Sequence, residues 1–301
     1  MGSLLELAWD LVWSTWSELG VPGLERRHRH VAIDPEILLV RSLPFLAGES
    51  RLHDHVLAWC AAHAQLISPA RIRGLLQKVS TPTKLDFAGF ASTLKQTTGI
   101  VWPLAKPHPP LEKPIHFKEM ALDSTRPALV LLRLRALCGV GARADVLGAL
   151  LARPRTWLTA RDLDEIGYTK RSVALTLSSL SAAGFVEDRL AGNARRFKLE
   201  NPEPLMEVLN ARDLCYPNWQ AVFSIVDELL DLSRHERSIQ VVRSVEANNT
   251  RLRLVVPSDL LGLPPPPATR GVPEAWDLMM AWGEAQLAAL ADGTSPAFQR
   301  R

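Results

Sequence analysis

The chain has 301 residues, 47% of them hydrophobic and 22% charged, with a net charge of only +3. That balance belongs to a folded chain with a sizeable core and excludes a chain-wide disordered polymer. The longest apolar runs, such as Pro127 to Leu132, fall far short of the roughly 20 residues a membrane span needs, so no membrane partner is expected.

The first residues mix Trp9, Trp13 and Trp16 with Glu6, Asp10 and Glu18. They lack the basic start and short apolar block of a signal peptide, which makes the cytoplasm the expected location. Leu4, Leu5, Leu7, Ala8, Leu11, Val12 and Trp16 recur at helical spacing, and Gly20 and Pro22 stop that helix. The turn around His28 and His30 reads as a solvated basic turn, with a phosphate contact as the alternative. A second helix is predicted from Asp34-Pro35 to Phe45, with Asp34 as N-cap and Pro35 at the first helical position. A third covers about Arg51 to Leu66, and a fourth starts at Ser68-Pro69. The segment 1–102 is therefore read as an N-terminal helical domain. Its tryptophans, with Trp59 and the later Trp219, sit on apolar helical stripes, where core packing is the default. A small-molecule effector pocket among them is the other use such residues have. His53, His55, Cys60 and His63 fall within eleven residues, but no second cluster completes a metal set, so no metal is expected. Cys60, Cys138 and Cys215 are too scattered for a disulfide framework and read as small buried hydrophobes.

Residues 103–116 hold five prolines, too many for a helix or a central strand, so 103–120 is read as a linker or surface strap. Charge then concentrates. Residues 126–200 carry 13 Lys and Arg against 7 Asp and Glu, whereas the rest carries 22 against 25. A basic island in a mildly acidic chain points to a local polyanion contact. Within 121–200, a helix is predicted from Arg126 to Cys138, broken by Gly139-Val140-Gly141. That tripeptide lacks the Gly-Lys-Ser/Thr ending of a phosphate loop, and no strand precedes it. Arg143 to Arg153 follows, with Val146, Leu147, Leu150 and Leu151 as its buried stripe, ended by Pro154. Thr159 opens a short helix, with Asp162 at its third position and Leu163 and Ile166 facing inward. Gly167 turns the chain, and Thr169 caps the next helix, Lys170 to Ala183. There Val173, Leu177 and Leu180 face inward, and Gly184 stands at the left-handed C-cap. The period then changes to two. Phe185 to Leu190 and Arg195 to Leu199 alternate about Ala191-Gly192-Asn193, a β-hairpin.

The last block, 201–301, is mainly helical, with helices at Trp219 to Leu232 and Pro273 to Asp292. Ser238 to Val256 fits a helix or a strand equally, and Gly262-Leu-Pro-Pro-Pro-Pro is a second proline break. No Ser/His/Asp order, close carboxylate pair or Gly-x-Ser-x-Gly is present, so no enzyme and no cofactor are expected.

The run LTARDLDEIGYTKRSVALTLSSLSAAGFVEDRLAGNARRFKLE resembles the winged helix-turn-helix transcriptional regulators of the MarR/ArsR kind, over about residues 143–199. The resemblance implies a mainly α fold, with a central winged helix-turn-helix domain of three helices and a hairpin wing between the flanking helical domains. It also implies a double-stranded DNA partner, a homodimer that meets two half-sites, and a regulator acting as a repressor. In such a fold Thr169, Lys170, Arg171 and Ser172, with Thr176 one turn on, would face the major groove. Arg189, Asn193, Arg195 and Arg196 of the wing would lie beside the backbone or a minor groove. Winged helices also serve as protein-interaction modules, for example in an antitoxin or adaptor of a bacterial operon, which is the alternative expectation.

Overall fold

A computed structural model describes residues 3–46, 48–106, 122–123, 125–236, 238–272 and 274–299. Most of the proline-rich stretch, 107–121, lies outside the described residues. Among the described residues the fold is mainly α, with one antiparallel two-stranded hairpin, and no helix is long and apolar enough to cross a membrane.

Local signals place the first helices. In α1 (Leu4–Glu18) Ser3 and Glu6 form a reciprocal capping box. In α2 (Pro35–Leu46) the Asp34 carboxylate accepts from the Ile37 N–H at 3.0 Å. Next come α3 (Ser50–His63) and α4 (Pro69–Leu76), the latter capped by Ser68. Periodicity alone does not announce α5 (Thr81–Thr98). Its apolar stripe is thin, resting on Phe87, Phe90, Ala91 and Leu94.

The middle of the chain forms α6 (Val130–Cys138), α7 (Ala142–Ala152), α8 (Lys170–Ala182), the strands β1 (Glu187–Ala191) and β2 (Ala194–Lys198), and the short α9 (Glu203–Val208). Then come α10 (Trp219–Ser233), α11 (Gln240–Leu261) and α12 (Ala275–Ala291). The ambiguous stretch 238–256 is thus helical. Its Ala247, Thr250 and Leu254 are buried at spacings of three and four, a register that no strand supplies.

Two apolar cores hold the molecule. The first draws on α1–α5 and α10–α12 together, so the N-terminal and C-terminal blocks share one interior. The first and last helices pack against each other, and the Trp219 indole donates to the Ala32 carbonyl at 2.7 Å. The second core runs from Val130 to Leu214 and contains α7, α8 and the hairpin. His28 is 1% exposed, not part of a solvated turn. Its ring lies edge-on to Phe298 and 3.0 Å from the Ser14 hydroxyl, where the two ends of the chain meet. The tryptophans serve the core: Trp16, Trp59 and Trp219 are buried. Trp219 also lines a cavity of about 420 Å³ between the two cores, with Asp34, Arg71, Asp145 and Tyr216 in its wall.

Candidate nucleic-acid interface

The head of the molecule is built on the second core. Val173, Leu177 and Leu180 carry α8 into it, with α7 behind. The Thr169 hydroxyl accepts from the Ser172 N–H and caps the helix start. Leu158 makes an antiparallel bridge to Phe197, which fastens the hairpin to the chain that follows α7. Within the hairpin Arg189 stands opposite Arg196 and Leu190 opposite Arg195. Gly192 has φ +60° at the first position of the two-residue loop, the sign a II′ turn needs there.

The element before α8 differs from expectation. Thr159 to Ile166 is not an α-helix but a run of turns closed by one 3-10 turn, Asp164–Ile166. The Asp162 carboxylate folds back to the Thr159 N–H at 2.7 Å and its hydroxyl at 2.9 Å. Its two inward residues, Leu163 and Ile166, are three apart, a spacing that a three-residue turn stacks directly. The segment is also short, held between the Leu158 bridge and Gly167 at φ +82°.

The predicted contact residues fall into three groups. Thr169, Lys170 and Arg171 are exposed and Ser172 half-buried on the first turn of α8, and Lys170 and Arg171 form no ion pair with a described residue. Thr176 is half-buried and turned towards the α6–α7 connector, where it lines a shallow groove with Val140, Arg143 and Leu175. The hairpin residues Arg189, Asn193, Arg195 and Arg196 are all exposed. Opposed residues of an antiparallel pair share a face, so Arg189 and Arg196 lie together on the face away from buried Phe197. Arg195 lies on the other face. Its Nε donates to Asp188 at 2.7 Å, and its Nη1 reaches the Ser178 hydroxyl at 3.5 Å. That hydrogen bond from Arg195 holds the Asp188 carboxyl below its ordinary range. Asp188 also accepts from the Ser181 hydroxyl, so this face of the hairpin is tied to α8. The sequence reading missed Trp157, over whose ring the Arg189 guanidinium sits at 4.0 Å and the Lys198 ammonium at 4.9 Å. A lone tryptophan next to a bridging residue was its one signal.

Inward, the head is fastened by buried charge. Arg135 donates to Glu36 at 2.6 and 2.8 Å, to Asp145 at 2.8 and 3.0 Å, and to the Leu66 carbonyl at 2.9 Å. Arg71 donates to both oxygens of Asp34, to Glu36 at 2.7 Å and to the Ile166 carbonyl at 2.6 Å. The Tyr168 hydroxyl donates to Asp145 at 2.8 Å, which leaves Ser68 to donate to Tyr168. Burial by itself would raise the Glu36 carboxyl, but Arg135 and Arg71 beside it hold it below its ordinary range. Where α4 meets the turn before α8, a Cβ on Gly74 would stand 2.2 Å from the Gly167 carbonyl oxygen, so the two backbones touch there.

No family model, curated protein or solved structure matches the chain. Among the described residues no three His, Cys, Asp or Glu side chains are grouped as a metal ion would need.

Proposed function

We propose that residues 142–200 are a winged helix-turn-helix head, and that the protein is a homodimeric, sequence-specific regulator that binds double-stranded DNA with it. One observation carries the reading. Lys170 and Arg171 project from the capped start of α8 with no acidic partner among the described residues, while Arg71 and Arg135, which anchor the head from within, are fully engaged. A helix start adds backbone N–H donors to that positive tip. In the major groove Arg171 would pair bidentately with a guanine, and Arg189 and Arg196 would hold phosphates.

A second reading has its own support. Leu175, on the outer face of α8, is 64% exposed and shares a groove with Val140, an apolar feature that suits a protein partner better than a phosphate.

Fluorescence anisotropy with duplex DNA from the protein's own upstream region, against a scrambled duplex, tests the two. The DNA reading expects preference for the first duplex. It also expects log affinity to fall with log salt by about 0.9 for each phosphate neutralised. No binding to either duplex at low salt overturns it in favour of the protein-partner reading.

A further inference from the structure

The outward face of α11 is apolar and, among the described residues, uncovered. Val241 is 70% exposed, Val245 51%, Leu252 58% and Val256 65%. The buried residues Ala247, Thr250, Leu254, Ser258 and Leu261 occupy the opposite side of the same helix, against α10 and α12. A continuous stripe of this kind on a surface helix marks an interface.

We infer that this face binds a second copy of the same chain, with the two α11 helices antiparallel about a twofold axis beside Asn248 and Asn249. The stripe is nearly the same read from either end. Val241 and Val256 stand equally far from that midpoint, and so do Val245 and Leu252. End-for-end pairing therefore places apolar residues on apolar residues throughout, as an isologous interface requires. Asn248 is held by the Thr269 hydroxyl at 3.2 Å, so Asn249 supplies the polar step at the middle of the seam, a feature that fixes register between helices.

Charge on the flanks agrees. Glu246 and Arg253 are seven residues apart, two helical turns, and so lie on the same flank of the stripe. In an antiparallel pair about a twofold axis like flanks meet, which brings Glu246 of each copy near Arg253 of the other. Glu246 has no ion pair with a described residue, and the Arg253 side chain stays 43% exposed while it contacts Glu228 at 2.5 Å and Thr250 at 3.3 Å in its own chain. The pairing serves the proposed regulator, since two heads can then meet two half-sites, but its test needs no DNA.

Light scattering on the full chain, without DNA, should give twice the 33.3 kDa chain mass. Leu252→Asp and, separately, Val245→Asp should return the single mass with an unchanged far-ultraviolet circular dichroism spectrum, because both positions are exposed. Asn249→Cys should form a covalent dimer on mild oxidation and Val241→Cys should not, because only a residue beside an antiparallel axis meets its own copy. A monomeric wild type at tens of micromolar overturns the inference and gives the face to a different partner. Folded Asp variants that remain dimeric move the interface elsewhere. Equal cross-linking of Asn249→Cys and Val241→Cys overturns the antiparallel arrangement. Any of these results leaves DNA binding by the head standing, although a monomeric wild type removes the homodimer from that reading, and absence of DNA binding by a dimeric chain would leave this inference standing.

Discussion

Two sets of arginines in this molecule differ only in where they sit. Arg71 and Arg135 lie in the junction between the two cores, 2% and 1% exposed, each with two carboxylates and a backbone carbonyl on its guanidinium. Arg171 and Arg196, on the start of α8 and the outer face of the hairpin, are exposed and have no acidic partner at ion-pair distance among the described residues. Burial strengthens each charge–charge contact and makes an unmatched charge costly. The inner arginines are therefore structural, and substitution there should register as reduced stability. The outer ones contribute little to the fold, so their removal should register in binding alone.

The largest effect that separates the two sets is expected at Arg135. Arg135→Met leaves Glu36 and Asp145 buried beside a vacated cationic site, at a cost of about 3–5 kcal/mol, whereas Arg171→Met should change stability by less than about 0.5 kcal/mol. Urea unfolding of the two variants measures this. Equal midpoints would show that the junction contributes no more than the surface does.

The local signals that the sequence carries are those of the outer region. Thr169, the Val173–Leu177–Leu180 stripe and Gly184 agree on α8, and the change to period two around Gly192-Asn193 marks the hairpin. The junction was not legible. Glu36 and Arg135 are 99 residues apart and Ser68 and Tyr168 are 100 apart, and each reads singly as an ordinary polar position. The common interior of α1 and α12 likewise leaves no local mark. For α11, a β-branched run such as Gln240-Val-Val-Arg-Ser-Val fits a strand as well as a helix until the buried register is known. Strand alternation already sends Arg195 and Arg196 to opposite faces, but which of the two faces turns to α8 rests on tertiary contacts, the Leu158–Phe197 bridge and the Arg195–Asp188 contact, that leave no local mark.

His28 sharpens the comparison from the buried side, because it is a basic group enclosed without a carboxylate on its ring. Burial, and then the charge of Arg27, push its pKa down to about 4. Unfolded, the ring has its ordinary value of about 6.5. Between those two values the unfolded chain takes up a proton that the folded chain does not. The stability present above pH 6.5 is therefore lost as the pH falls towards 4, by up to about 3 kcal/mol from this group. His28→Asn should remove that step from the pH dependence of unfolding between pH 7 and 4.5, whatever its effect at pH 7. A wild-type curve and a variant curve that run parallel would show that the ring titrates normally in the fold.

On the outer region, Arg171→Ala should cost about 1–3 kcal/mol of preference for the upstream duplex over the scrambled one, the worth of one bidentate pairing with a base. Weak binding to both duplexes and the melting curve should stay. A folded variant with undiminished preference would mean that α8 presents a different face to DNA, or none.

The smallest expected difference lies inside the hairpin, between neighbours in sequence. Arg196 stands beside Arg189 on the face away from Phe197 and forms no ion pair with a described residue. It is available to a phosphate, so Arg196→Ala should weaken binding to every duplex alike and make the slope of log affinity against log salt shallower by about 0.9 for each phosphate that is no longer neutralised. Arg195 already holds Asp188 and reaches Ser178 on α8. Removing it frees the Asp188 carboxylate, an exposed group that water solvates, so the melting curve should change little. A phosphate that recruited Arg195 would have to compete with that carboxylate, so Arg195→Ala should leave the salt slope close to that of the wild type. Titrations of both variants at several salt concentrations decide the point. If Arg195→Ala flattens the slope as much as Arg196→Ala does, then Arg195 leaves Asp188 when DNA arrives, and both faces of the hairpin meet the backbone.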